Sequence, residues 1–201
     1  MMTRVEGVEL VGQIMPGSPL LVVAVRHEAE HLSTDLPILI TGVGKLAAAR
    51  SVLGTLAPLD GPDRPSLLVN LGSAGALRDG IEGIHRVGTL LQHDLDGLAI
   101  AATVGFDPSP LIVLGQGLTL ATGDRFIADP TERKRLAAVA DLVDMEGYAI
   151  ASAAGLLGLD IIVMKHVSDQ ADDEAPDRWI ETIAVSSMEL ARWLDDFEEE
   201  H

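Results

Sequence analysis

Residues 141–175, DLVDMEGYAIASAAGLLGLDIIVMKHVSDQADDEA, constrain the fold more than any other stretch of this chain. A short apolar segment ends in Asp144-Met145-Glu146-Gly147. An alanine-rich run over 148–157 reads as a helix, and Gly158 stands where a left-handed C-terminal cap belongs. An apolar run over 161–164, carried on to Val167, then closes in Ser168-Asp169-Gln170-Ala171-Asp172. The pattern is strand, helix, strand, with acids at the carboxyl ends of both strands. Ligands of open α/β sheets bind outside those ends. Glu146 and Asp169 are therefore candidate functional carboxylates.

The rest of the chain repeats this grammar. Residues 20–25 form a continuous apolar run, read as a buried strand that gives way to a helix start at Arg26-His27-Glu28-Ala29-Glu30. Taken alone, Glu28 is an acid suited to a helix N-terminus. Residues 36–41 predict a second strand and 46–56 a helix, joined by Gly42-Val43-Gly44-Lys45. That junction also fits G-x-G-x-x-A, but the acid needed at the end of the next strand is missing, which argues against a dinucleotide site. Leu46 stands where a P-loop needs Ser or Thr, so that motif is excluded. Residues 66–71 predict a third buried strand, with Gly72-Ser73-Ala74-Gly75 as a small-residue turn after it. Residues 86–92 and 98–104 read as a strand pair around Gln92-His93-Asp94-Leu95-Asp96-Gly97. A His beside two Asp hints at a metal, yet no further ligands follow at recognisable spacing, so a structural or pocket-rim role is expected. Residues 118–122 predict a strand ending in Gly123-Asp124-Arg125-Phe126-Ile127. Asp129-Pro130-Thr131-Glu132 opens a helix with Asp at the N-cap. Residues 176–197 carry apolar side chains at helical spacing, suited to covering one sheet face.

Composition narrows the function. A hydrophobic content of 47%, with little aromatic residue, suits a buried sheet flanked by helices, and 201 residues fit one domain over 1–201. The formal charge of -17 lacks the basic stripe that phosphate backbones require, so no nucleic-acid partner is expected. Part of that charge, over 172–177 and 195–200, reads as a solvated tail. With no cysteine there is no disulfide or thiolate chemistry, and no apolar stretch reaches membrane-spanning length. The expectation is a cytoplasmic protein with no membrane partner, no metal and no cofactor.

Asp144-Met145-Glu146-Gly147 together with Val167-Ser168-Asp169-Gln170-Ala171-Asp172 resembles the two late motifs of the purine nucleoside phosphorylase and nucleosidase superfamily. The likeness is greatest to 5′-methylthioadenosine/S-adenosylhomocysteine nucleosidases. Glu28, Gly42-Val43-Gly44-Lys45, Asn70-Leu71-Gly72-Ser73-Ala74-Gly75, His93-Asp94 and Thr122-Gly123-Asp124-Arg125-Phe126-Ile127 extend it in order along the chain. The resemblance implies a three-layer α/β/α fold with a central mixed, mostly parallel sheet. It implies hydrolysis of a purine nucleoside, with release of adenine, by a homodimer. Asp169 would be the general acid at purine N7 and Glu28 the base for the attacking water, with Ser73 near that water and Ser168 orienting the pocket. Glu146 would accept hydrogen bonds from the ribose hydroxyls, Met145 would pack on the sugar, Phe126 would stack on the base, and the backbone of Ile127 would read its edge.

The chain departs from the family pattern at Asp144, where a glutamate is usual, at Tyr148, where a small residue is usual, and in a short segment between His93 and Leu118. Three alternatives stay open. A phosphorylase would need arginines near the early glycine turns, where only Arg26 is close. A hydrolase of another purine nucleoside, such as futalosine, is the second. A silent binding protein would not need Glu28, Glu146 and Asp169 together.

Overall fold

A computed structural model describes residues 8–200 of the chain. Its strands are β1 (Glu9–Val11), β2 (Pro19–Val23), β3 (Ile38–Ile40), β4 (Leu67–Ala76), β5 (Ile84–Gln92), β6 (Ile112–Val113), β7 (Leu118–Thr122), β8 (Leu142–Asp144) and β9 (Asp160–Asp169). The α-helices are α1 (Lys45–Leu56), α2 (Gly97–Val104), α3 (Pro130–Leu136), α4 (Gly147–Leu157) and α5 (Ala175–Glu200), with 3-10 turns at Arg26–Ala29 and Gly61–Asp63.

All nine strands share one mixed sheet, ordered β1-β3-β2-β4-β8-β7-β5-β6, with β9 bridging β4 and β5. Among the described residues five pairings are parallel and four antiparallel. The sheet is not simply open. β4, β8, β7, β5 and back through β9 form a closed circuit, with β2, β3 and β1 extending from its β4 side. Long β4 makes this possible, since it pairs with β2 near its start, β9 along its length and β8 at its end.

Period-two alternation decides what each face meets. Leu20 and Val22 of β2 pack with Val52 and Leu56 of α1 and with Ile150, Ala153 and Ala154 of α4. Leu21 and Val23 point the other way, into a cluster with Leu190, Leu194 and Phe197 of α5. Each of those large side chains contributes about 1.5–3 kcal/mol by burial. The small residues of α4 let it lie close under the sheet, and Gly158 ends it at φ 67°, as its sequence position implies.

Three expectations need correction. Residues 98–104 belong to α2: Asp96 accepts a hydrogen bond from Ala99 N–H at 3.1 Å and Gly105 closes the helix at φ 80°. An alanine-rich run between good caps favours the helix, and β5 pairs with β6, β7 and β9 instead. Gly72-Ser73-Ala74-Gly75 is no turn; it lies inside β4, because β9 supplies a hydrogen-bonding partner through Gly75. Nor do residues 195–200 form a tail: Asp195, Asp196, Glu198 and Glu199 are solvated, but they continue α5, and buried Phe197 anchors them.

Candidate active site

The carboxyl ends of β2, β4, β7, β8 and β9 open into one cavity of about 440 Å³, and the first turns of α5 cover it. All eight side chains or backbones singled out in the sequence line it: Glu28, Ser73, Phe126, Ile127, Met145, Glu146, Ser168 and Asp169. Phe126 is partly exposed at the mouth, whereas Glu28, Glu146, Ser168 and Asp169 are buried.

Asp169 ends β9 just after an irregularity in its pairing with β4. Ala74 opposes Val167 and Gly75 opposes Asp169, so Ser168 is the extra residue. Such a bulge re-aims the side chain that follows it. Asp169 Oδ1 accepts Ala171 N–H at 2.9 Å, and Oδ2 accepts the Ser168 hydroxyl at 2.8 Å. Ala171 adopts φ 50°, a left-handed conformation that costs a non-glycine residue roughly 1–2 kcal/mol. Burial pushes the Asp169 carboxyl above its usual range, outweighing those two donors. Gly75 makes room for it: a Cβ there would stand 2.9 Å from Oδ1.

Glu28 sits in the 3-10 turn after β2, and its carboxylate bridges two elements. Oε2 accepts from Ala24 N–H at 3.0 Å and Val25 N–H at 3.3 Å. Oε1 accepts both the backbone N–H and the hydroxyl of Ser73, each at 2.9 Å. Four hydrogen-bond donors thus fix the orientation of this carboxyl group. Ser73 and Gly75 are two residues apart on β4, about 6.6–6.8 Å in a strand, so Glu28 and Asp169 are held at neighbouring stations of one strand.

Glu146 is the N-terminal flank of α4. Its Oε1 accepts Gly44 N–H at 2.8 Å, where Gly44 takes φ 92° at the start of α1. Burial first, and the adjacent Asp144 second, push its carboxyl up to about 8. Asp144 is tied by three donors: Lys165 Nζ at 2.9 Å, the Thr122 hydroxyl at 2.6 Å and Gly147 N–H at 2.8 Å. Burial opposes the charge on Lys165, but Asp144, Glu28 and Glu146 together raise its pKa. The ammonium is thus paired with Asp144, with Glu28 and Glu146 close enough to act on it electrostatically.

A sequence model described as the phosphorylase superfamily matches residues 89–197. The 5′-methylthioadenosine/S-adenosylhomocysteine nucleosidase of Staphylococcus aureus (strain bovine RF122) is 32% identical over 194 residues, covering 80% of this chain and 82% of that protein. This chain belongs to the phosphorylase superfamily. Solved structures agree on the fold. A Helicobacter pylori nucleosidase mutant with 5′-methylthioadenosine in its active site superposes with a TM-score of 0.79 at 18% identity, over 93% of this chain and 100% of that one. The futalosine hydrolase of the same organism gives 0.77 at 20% identity, over 92% and 98%.

Within this superfamily member, sequence reasoning passed over two residues, of which Trp179 lines the cavity. Lys165 interrupts the apolar run of β9, and a lysine inside a buried strand signals a buried anion; Asp144 is that anion. Trp179 of α5 lines the cavity and donates its indole N–H to Ser73 Oγ at 3.0 Å. The helical spacing of 176, 179 and 180 could have placed it on one face, but not over which strand. His93 and Asp94 do not line the cavity. Asp94 accepts from Lys45 Nζ and from Asp124 N–H at 2.8 Å, while the His93 ring lies against Gly123, where a Cβ would collide with it. Among the described residues no group of three or more His, Asp or Glu side chains stands together as a metal site.

Proposed function

We propose that this protein hydrolyses the N-glycosidic bond of a purine nucleoside of the 5′-methylthioadenosine/S-adenosylhomocysteine type, releasing adenine. One observation carries the reading: two buried carboxylates in unlike surroundings, Asp169 and Glu28, face the same cavity. Asp169, whose carboxyl burial shifts towards the protonated form, donates a proton at purine N7, so the base leaves without carrying full negative charge. Glu28, surrounded by donors, takes a proton from water as its oxygen bonds to the ribose C1′ and the C1′–N9 pair departs with the base. Paired acid and base carboxylates follow the logic of inverting glycoside hydrolysis. Ser73 stands by the water, and Ser168 orients Asp169. Glu146 receives the ribose hydroxyls, Met145 packs on the sugar, Phe126 stacks on the base and the backbone of Ile127 reads its edge.

The same reading covers the whole chain. Helices on both sheet faces support α/β/α layers in one domain over 1–201. Exposed Val43, Leu46, Phe106, Leu111 and Val113 supply apolar surface for a homodimer. No described helix is long and apolar enough to cross a membrane, and the charge of -17 disfavours nucleic acid. These features support a cytoplasmic enzyme that acts on a small-molecule substrate without a cofactor.

Water is favoured over phosphate as the nucleophile. Arg125 is the one cation among the residues lining the cavity, and Arg26, the candidate beside the first glycine turns, is exposed and paired with Glu9. A phosphate dianion beside Glu28 would be repelled by several kcal/mol at low effective dielectric. The test is a panel of purine nucleosides, futalosine included, assayed in phosphate buffer for both products. Free base with a free sugar is expected. A ribose 1-phosphate would move the protein to the phosphorylases, and no base from any nucleoside would end the hydrolase assignment.

A further inference from the structure

The chain has two tryptophans with unlike surroundings. Trp193 stacks on Phe197 at 5.3 Å between ring centroids, within the cluster beneath α5. Trp179 instead faces the cavity and donates to Ser73 Oγ, which in turn donates to Glu28 Oε1. We infer that Trp179 is a positioning residue for the base: its indole N–H locks the Ser73 hydroxyl with its proton on Glu28. The inference rests on the hydrolase reading and extends it to a residue on a different element.

The argument turns on which donors around Glu28 can move. Three of its four are backbone N–H groups, from Ala24, Val25 and Ser73, fixed by β4 and the 3-10 turn. The fourth is a hydroxyl, whose proton can rotate. An indole nitrogen donates and never accepts, so a Trp179 N–H 3.0 Å from Ser73 Oγ forbids the serine proton from pointing towards the roof. The serine keeps its proton directed at Glu28 Oε1, and one Ser73 lone pair stays free for a water that also reaches the carboxylate. Without Trp179, this rotor is the soft degree of freedom in the base's surroundings.

The helix bearing Trp179 is anchored well enough to hold a hydrogen bond in register. Thr182 Oγ1 donates to Ser168 O at 2.9 Å, Ser187 Oγ accepts His31 N–H at 3.0 Å, and Ser186 Oγ meets His166 Nδ1 at 2.9 Å. Farther along, Leu190 and Leu194 are fully buried. Rigid elements place site groups more accurately than loops do.

Trp179→Phe keeps an aromatic wall and removes only the donor. Losing one hydrogen bond that orients the base should lower kcat about three- to tenfold, with KM nearly unchanged. Ser73→Ala should lower kcat comparably, and Trp179→Phe should cost nothing further in that background, because both act through one hydroxyl. The Trp179 indole proton signal, identified by its disappearance in Trp179→Phe, should move upfield in Ser73→Ala. Losses that multiply in the double variant, a Trp179→Phe effect confined to KM, or an unmoved indole signal would each overturn the inference. Wild-type protein that releases no base refutes the hydrolase reading, and with it this role for Trp179. An active wild type with multiplying losses refutes the inference alone.

Discussion

Asp169 and Glu146 are both carboxyls at strand ends, both buried, and both raised, yet their surroundings differ in kind. Asp169 has no lysine beside it; a serine hydroxyl and one backbone N–H face its oxygens, and desolvation decides its protonation. Glu146 adjoins Asp144 and Lys165, so desolvation is compounded by a second carboxylate and partly relieved by an ammonium. An acid of the first kind can change its proton during a reaction without disturbing the fold. An acid of the second kind is coupled to Asp144 and the core lysine, so any change in its proton is felt by that pair as well. On this contrast, the proposed reading assigns catalysis to β9's last residue, and sugar binding together with stability to the cluster around Lys165.

The sharpest way to break that division is Asp169→Asn. It should reduce turnover about 10²–10⁴-fold while leaving the thermal midpoint close to wild type, measured by base release and by melting. A folded variant with near-normal turnover would remove Asp169 from the chemistry.

The opposite outcome is expected for Lys165→Met. Asp144 would be left buried without its cation, costing about 3–5 kcal/mol of stability, read from denaturant midpoints. Adding Asp144→Asn should restore much of the loss. If the single variant is as stable as wild type, the cluster is not held by its ammonium.

Glu146→Gln sharpens the contrast through pH. In an unfolded chain a glutamate titrates near 4.3, roughly, whereas Glu146 in the fold holds its proton up to about 8. Between those values the unfolded state releases a proton that the folded state keeps, so this group's contribution is complete below about pH 4 and lost as pH rises towards 8. The glutamine variant escapes that loss. It should match wild type near pH 4 and exceed it by up to about 5 kcal/mol at pH 9. A stability difference independent of pH would contradict the protonated state of Glu146.

The smallest effect belongs to neither acid. Phe126→Ala should weaken substrate binding by about 1 kcal/mol, a roughly fivefold rise in KM with kcat little changed. A loss in kcat equal to that of Asp169→Asn would show that the base is positioned by its stacking partner and not by the carboxyl.

Most elements were legible because their signals are local. The N-cap at Asp129 accepts from Thr131 and Glu132 N–H, and the cap at Gly158 and the acidic ends of β8 and β9 also stand where their residues put them. The 98–104 run was misread because an apolar stretch does not declare whether a strand partner is available. The same limit applied at Gly72-Ser73-Ala74-Gly75, whose small residues look like a turn until β9 lies beside them.

By itself the sequence determined which residue types stand at the strand ends, since period-two burial and cap chemistry act over a few neighbouring positions. Tertiary structure decided how those ends meet. The pairing of β4 with β9, and the bulge at Ser168, set Asp169 against Gly75. The packing of α5 carried Trp179 to Ser73, 106 positions away, and β4, paired with both β8 and β9, brought Asp144 to Lys165. Such contacts depend on register and on burial from several elements at once, and no local pattern in the chain encodes either.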